Sequence, residues 1–170
     1  MARTNIILAT GFIVTAISGC ASKQRLEDLP EPPRSSVNSV PINPDAGAPI
    51  PGSTADFLAR VRSDRIFFDT DRSDIDTEDR AILASQAAWL KRYPNNRLTI
   101  EGHCDERGTR DYNIALGARR ANAAKNYLAA DGINPARITT VSYGKERPEA
   151  LGSDEESWAR NRRAVTMTVQ

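Results

Sequence analysis

From about residue 54 onward, apolar positions recur with two alternating periods. Residues 65–69 (RIFFD) are aromatic and β-branched, which predicts a short strand. Ser73 to Thr77 supplies polar capping residues, and Leu83, Ala87 and Leu90 then follow at i, i+4 and i+7, one face of a helix. Tyr93-Pro94-Asn95-Asn96 ends that helix. Arg97 to His103 sets Leu98, Ile100 and Gly102 against Thr99, Glu101 and His103, the alternation of a half-buried strand. A second helix is predicted from about Arg110 to Ala130, with Leu116, Ala124, Tyr127 and Leu128 apolar and Asp131-Gly132 as its stop. Ile138 to Tyr143 reads as a third strand and Asp154 to Asn161 as a short helix. Arg163 to Gln170, alternating Val165, Met167 and Val169, reads as the last strand. The order β-α-β-α-β-(α)-β predicts an α+β domain, an α/β sandwich with helices on one face of a small mixed sheet.

The N-terminal third follows other rules. Ile6 to Ile17 is an apolar run behind Arg3, too short for the roughly 20 residues of a membrane span but suited to the core of a secretory signal. Ile17-Ser18-Gly19-Cys20 then places a cysteine at the cleavage position, as in the lipobox of bacterial lipoproteins. That likeness implies a signal peptide over residues 1–19 and acyl chains, palmitate among them, on Cys20. Several chains anchor far more firmly than one. Ala21 after the cysteine is compatible with sorting to the outer membrane. An ordinary small-residue cleavage site, releasing a soluble exported protein, is the other reading. Pro30, Pro32, Pro33, Pro41, Pro44, Pro49 and Pro51 crowd one span with Ser, Asn and Gly between them. Residues 20–53 therefore read as an acylated cysteine and a flexible tether that reaches about 100 Å when extended. Residues 54–170 remain for one folded domain.

Composition narrows the function. The formal net charge is +1, and no basic stripe dominates, which argues against nucleic acid as a partner. With Cys20 acylated, Cys104 is an odd thiol, expected to be a small, buried, inert core residue.

The richest chemistry is EGHCDERGTRDYN, residues 101–113. His103 and Cys104 are adjacent, but successive strand residues point to opposite faces, so they do not make a dyad. No Ser-centred elbow is present, and the chain does not read as an enzyme. A single histidine with Asp105 and Glu106 is too thin a set for a metal, and no cofactor is implied. A histidine satisfied by local hydrogen bonds is the expectation for His103. The remaining idea is a pocket complementary to both charges. Asp105 on a loop can accept from an ammonium, and one of Arg119 and Arg120 on the next helix can fork onto a carboxylate. The two arginines lie about 100° apart on the helix, so only one of them can face that pocket. An internal Asp105–Arg120 salt bridge on a charged surface fits the same pattern.

Residues 101–109, Tyr112-Asn113, Leu116 to Asn122 (LGARRAN), Val141 to Pro148 (VSYGKERP) and Asn161-Arg162-Arg163-Ala164 together resemble the OmpA-like domain of peptidoglycan-associated lipoproteins, over about residues 63–170. Cys104 departs from the small Ala, Thr or Ser more usual there, and Thr70-Asp71 falls where that family varies. The resemblance implies an OmpA-like fold. It also implies noncovalent binding of the meso-diaminopimelate residue of peptidoglycan, with Asp105 and Arg120 holding its zwitterionic end. Phe68, Asp69, Arg107, Thr109, Leu116 and Asn161 are implied as further pocket residues, although Phe68 suits the core equally. Arg162 and Arg163 are expected to serve the fold or a protein contact. It implies, too, an outer-membrane, periplasm-facing location, the Tol–Pal system with TolB and other Tol proteins as partners, and a part in cell division. A lipoprotein scaffold that binds only proteins is the alternative from another class.

Overall fold

The computed structural model describes residues 48–169. The signal peptide, Cys20 and residues 20–47 of the expected tether lie outside the described residues. Gly52 and Ser53, at the end of that tether, are engaged by the domain: Gly52 N–H donates to Asp56 and Asn96 donates to Gly52 O.

The elements are α1 (Thr54–Arg60), β1 (Arg65–Phe67), α2 (Thr77–Arg92), β2 (Arg97–His103), α3 (Arg110–Ala130), β3 (Ile138–Gly144), α4 (Glu155–Asn161) and β4 (Arg163–Val169), with one 3-10 turn at Pro135–Arg137. The sheet order is β1-β4-β2-β3; β2 and β3 are parallel and the other pairs antiparallel. The sheet is therefore mixed and the fold α+β. Phe57, Ile66, Leu83, Ala87, Leu90, Leu98, Ile100, Ala121, Ala124, Leu128, Ile138 and Ala164 form one core between the helices and one sheet face. Asp76, Thr109 and Asp154 cap α2, α3 and α4 by accepting from a backbone N–H three residues on.

Differences from expectation have local causes. Helix α1 is short enough that its pattern carries no period. It forms because Ser53 caps it and because Asp56, only 1 % exposed, accepts from Gly52 N–H, Trp89 Nε1 and Arg60. Phe57 then meets Trp89 edge-on at 5.1 Å. Strand β1 ends at Phe67, two residues early, although Phe68 N–H still donates to Arg162 O. In β4, Met167 and Val169 face outward and are 47 % exposed, because the alternate positions Ala164 and Thr166 face the helices. At the other end of the outer sheet face His103 is buried, although its position in the alternation predicts the wetter side.

Two glycines set the distance between α3 and the sheet. A Cβ on Gly102 of β2 would lie 1.9 Å from the carbonyl oxygen of Gly117 in α3, so backbone meets backbone there. Ser142 of β3 donates to Ile114 O at 2.7 Å and pins the same helix sideways.

Two buried groups titrate with opposite signs. Burial raises the Asp79 carboxyl to about 6, against an opposing hydrogen bond from Phe67 N–H and with Asp76 and Glu78 adding to the rise. Burial lowers His103 to about 4, with the charges of Arg163 and Arg65 adding to the effect. Between pH 4 and 6 the folded state holds the Asp79 proton that the unfolded chain has released, so this group's contribution falls as pH rises. Over nearly the same window the unfolded chain holds a His103 proton that the folded state refuses, so that contribution rises. The two slopes oppose. Asp79→Asn is expected to uncover stability that rises from pH 4 to 6.5, and His103→Gln stability that falls from pH 4 to 6. Each change is roughly 1–3 kcal/mol, measured by urea unfolding at stepped pH. Parallel profiles for both variants and the parent would show that neither group is shifted.

Candidate functional site: a cavity between the β2–α3 loop and the β1–α2 loop

Strand β2 delivers Asp105 just past its end, and α3 carries Arg120 up beside it. The two line one cavity of about 230 Å³ together with Thr70, Asp71, Cys104, Arg107, Gly108, Tyr112, Asn113 and Leu116. The loop between them is built from side-chain contacts. Asn113 Nδ2 donates to Arg107 O and Thr109 O, and Lys145 Nζ donates to Glu106 O and Gly108 O. Gly108 takes φ +82°, a left-handed turn that favours glycine. Asp71 at φ 57° is the one non-glycine with positive φ among the described residues, a conformation that Asp tolerates better than most. Its carboxylate accepts from Tyr112 Oη at 3.3 Å, across the mouth of the cavity.

Arg120 is fully buried. Its guanidinium lies 5.2 Å from the Phe68 ring centre and donates to three backbone carbonyls, Nη1 to His103 at 2.8 Å, Nε to Arg72 at 2.9 Å and Nη2 to Asp69 at 3.0 Å. A guanidinium has five N–H donors, so two remain. Burial pulls its pKa below the ordinary arginine value. Among the described residues no carboxylate makes an ion pair with it; Asp105 instead pairs with Arg107 at 2.7 Å and Arg162 at 3.5 Å. Burial on its own would raise the Asp105 pKa, but the hydrogen bonds from Arg107 outweigh it and hold the carboxyl below its usual range. Arg119, one step along α3, is exposed and lies 6.0 Å from the Tyr112 ring centre.

The other sequence candidates divide. Arg107 and Leu116 line the cavity. Thr109 caps α3 and does not line it. Phe68 packs in the core beneath Arg120, Asp69 offers that arginine its carbonyl, and both residues line a second groove with Phe67, Arg72 and Arg160. Asn161 lies away from the cavity: its amide accepts from the N–H groups of Glu149 and Ala150 and donates to Ala150 O, fixing the chain before α4. Arg162 has a closer part than expected, bracing Asp105 while donating to Phe68 O and pairing with Glu155. Its sequence signal was the Asn161-Arg162-Arg163-Ala164 run of the resemblance, which pointed to the fold or a protein contact and not to the cavity.

Cys104 is 2 % exposed, donates to Asn113 O at 3.4 Å, and burial raises its pKa; it is buried, as expected. His103 differs from expectation. Neither ring nitrogen has a hydrogen-bond partner among the described residues, Glu101 Oε2 stands off at 3.6 Å, and the ring stacks on Tyr143. Those residues contain no cluster of metal-ligating side chains and no helix long and apolar enough to cross a membrane.

Comparison with known proteins agrees with this architecture. The OmpA family matches residues 67–162. The chain is 47 % identical to the peptidoglycan-associated lipoprotein of Rhizobium meliloti, over 98 % of this chain and 89 % of that one. It is 47 % identical to the protein of that name in Brucella melitensis, over 98 % and 93 %. Neither name is an enzyme's. The crystal structure of the peptidoglycan-associated lipoprotein from Burkholderia pseudomallei superposes with a TM-score of 0.63 at 40 % identity, covering 69 % of this chain and 98 % of that one. The C-terminal domain of Helicobacter pylori MotB shares the fold, with a TM-score of 0.59 at 21 % identity, over 63 % of this chain and 84 % of that one. The chain belongs to the OmpA family and, within it, to the peptidoglycan-associated lipoproteins.

Proposed function

We propose that the cavity binds peptidoglycan noncovalently by taking the zwitterionic end of meso-diaminopimelate. In this reading Arg120 meets the carboxylate and Asp105 meets the ammonium. The observation that carries it is Arg120 itself: a fully buried guanidinium, pre-aimed by three carbonyls, unpaired with any described carboxylate, and with two N–H groups to spare. A buried cation of that kind is strongly stabilised by an anion that completes its shell. Lysine-type stem peptides lack the second carboxylate and leave Arg120 as it is. Forgoing a charge-assisted hydrogen bond of this sort costs about 1–3 kcal/mol, which sets the preference for diaminopimelate-type walls.

The finer cellular reading goes with this site. The names of the relatives support a lipoprotein associated with peptidoglycan; an acylated Cys20 in the outer membrane, a tether over residues 21–53 and a domain facing the periplasm are part of this proposal. Membership of the Tol–Pal system, TolB as a partner that competes with peptidoglycan, and a part in envelope constriction at division follow from the resemblance. The test is co-sedimentation of the chain with purified sacculi of diaminopimelate type and of lysine type. The parent should pellet with the first and much less with the second, and folded Asp105→Ala should stay in solution. Equal pelleting of the variant and the parent would remove Asp105 from the site.

A further inference from the structure

Asp105 is the buried carboxylate of the cavity, and its acceptor positions are filled from within the chain. Oδ1 accepts from the backbone N–H and the Nε of Arg107, both at 3.1 Å. Oδ2 accepts from Arg107 Nη2 at 2.7 Å and faces Arg162 Nη1 at 3.5 Å. A carboxylate offers about four lone-pair directions, so an arriving ammonium finds none open. Something must yield. Arg162 is held: its side chain is 7 % exposed, Nε donates to Phe68 O at 3.0 Å, and Nη2 pairs with Glu155 at 2.7 Å. Arg107 is free to yield. Its side chain is 39 % exposed, and its other holds are Thr70 Oγ1 at 3.3 Å and the face of Trp158, 4.2 Å from the ring centre. The indole face gives the guanidinium a resting place once it releases the carboxylate. Trp158 is in turn fixed by its Nε1–H to Glu106 at 3.0 Å.

We infer that Arg107 is a latch, an internal stand-in for the ligand's ammonium that sits on Asp105 while the cavity is empty and is exchanged for that ammonium on binding. The inference rests on the reading of the cavity as a zwitterion site. The exchange replaces one cation by another and is close to neutral. An amine alone therefore gains little by displacing Arg107. Net affinity has to come from the carboxylate that lands on Arg120, so the latch makes the site demand both charges at once.

Arg107→Met keeps a stem over Trp158 and removes the cation. Two small probes separate the outcomes: meso-diaminopimelate, and pimelate, which has the same chain and carboxylates without amines. Binding of each to the full chain is measured by calorimetry, and the Arg107 Nε–H resonance of the parent is followed by NMR. On the latch reading, Arg107→Met binds diaminopimelate roughly tenfold tighter, because the competent state no longer has to be freed from a partly exposed ion pair. Pimelate affinity stays unchanged, and the Arg107 resonance moves with diaminopimelate but not with pimelate. A parent that binds diaminopimelate without moving that resonance, or a variant that binds it equally or more weakly, overturns the latch while sparing the site. Absence of diaminopimelate binding in both parent and variant overturns the site reading, and the latch with it.

Discussion

Arg120→Lys is expected to cost the chain both stability and its grip on the wall. The guanidinium spans three carbonyls, His103 O at the end of β2 and Arg72 O and Asp69 O in the β1–α2 loop, each at 3.0 Å or less. Lysine carries a point charge on a different stem and cannot reproduce that planar fork. Two of the three carbonyls would lose their donor inside the protein, at about 1–3 kcal/mol each, partly relieved by water entering from the cavity. A net loss of roughly 2–4 kcal/mol corresponds to a fall in Tm on the order of 10 °C. Binding to diaminopimelate-type sacculi, assayed well below the new Tm, should drop to background. Arg119→Lys is the matched control, since that side chain is exposed and holds only a distant ring; it should melt and pellet like the parent. If Arg120→Lys is destabilised but still pellets, the arginine serves the fold and the ligand's carboxylate is met elsewhere.

That double duty also explains what could be read from the sequence and what could not. The periods of Leu83, Ala87 and Leu90, and of Leu98 and Ile100, place α2 and β2 correctly because each buries one face against the same core. Helix α3 was bounded at its end by Asp131-Gly132, a local signal, whereas the cap that Thr109 gives its start was not read from the sequence. Helix α1 was invisible because seven residues hold no repeat, and its hold is a buried carboxylate whose partners, Gly52 apart, lie in α2 and in its own side chains. Burial of His103 depends on Tyr143 from the neighbouring strand, which alternation within β2 does not reveal.

The site shows the same division. The separate charges of Asp105 and Arg120 were legible from a loop followed by a helix, and so was the separation of Arg119 from Arg120. Their actual partners were not. Arg107 is two residues from Asp105, and sequence places it on the rim without saying that it seats on the carboxylate. Arg162 arrives from the far end of the chain, brought in by the β1–β4 pairing that leaves Phe68 beside it. Asn161 was drawn into the candidate set by the motif around it, while its amide is spent on the chain before α4. A motif identifies residues that matter, and only the packing says whether they matter to a ligand or to the frame that holds it.

The frame makes the second large prediction. Gly102→Ala should prevent stable folding, or lower stability by about 3 kcal/mol or more. Its Cβ would sit 1.9 Å from Gly117 O and 2.6 Å from Gly117 C, atoms of helix backbone that have no rotamer to escape into. Relief requires α3 to back away from β2, and α3 carries Arg120 while β2 leads into Asp105. Any fraction that folds should therefore lose sacculus binding out of proportion to its loss of stability. Gly117→Ala is the informative comparison. Its Cβ meets a side-chain atom first, Ser142 Oγ at 2.4 Å, and backbone only at 2.9 Å. Ser142→Ala in the same chain removes the nearer obstacle, at the loss of the hydrogen bond to Ile114 O. The double variant should regain part of the Tm lost by Gly117→Ala, whereas Ser142→Ala should do nothing for Gly102→Ala. Thermal unfolding of the five chains, parent included, decides it. A Gly102→Ala domain that melts with the parent would mean that helix and strand do not touch there, and that the spacing of Asp105 and Arg120 is set by something other than this glycine pair.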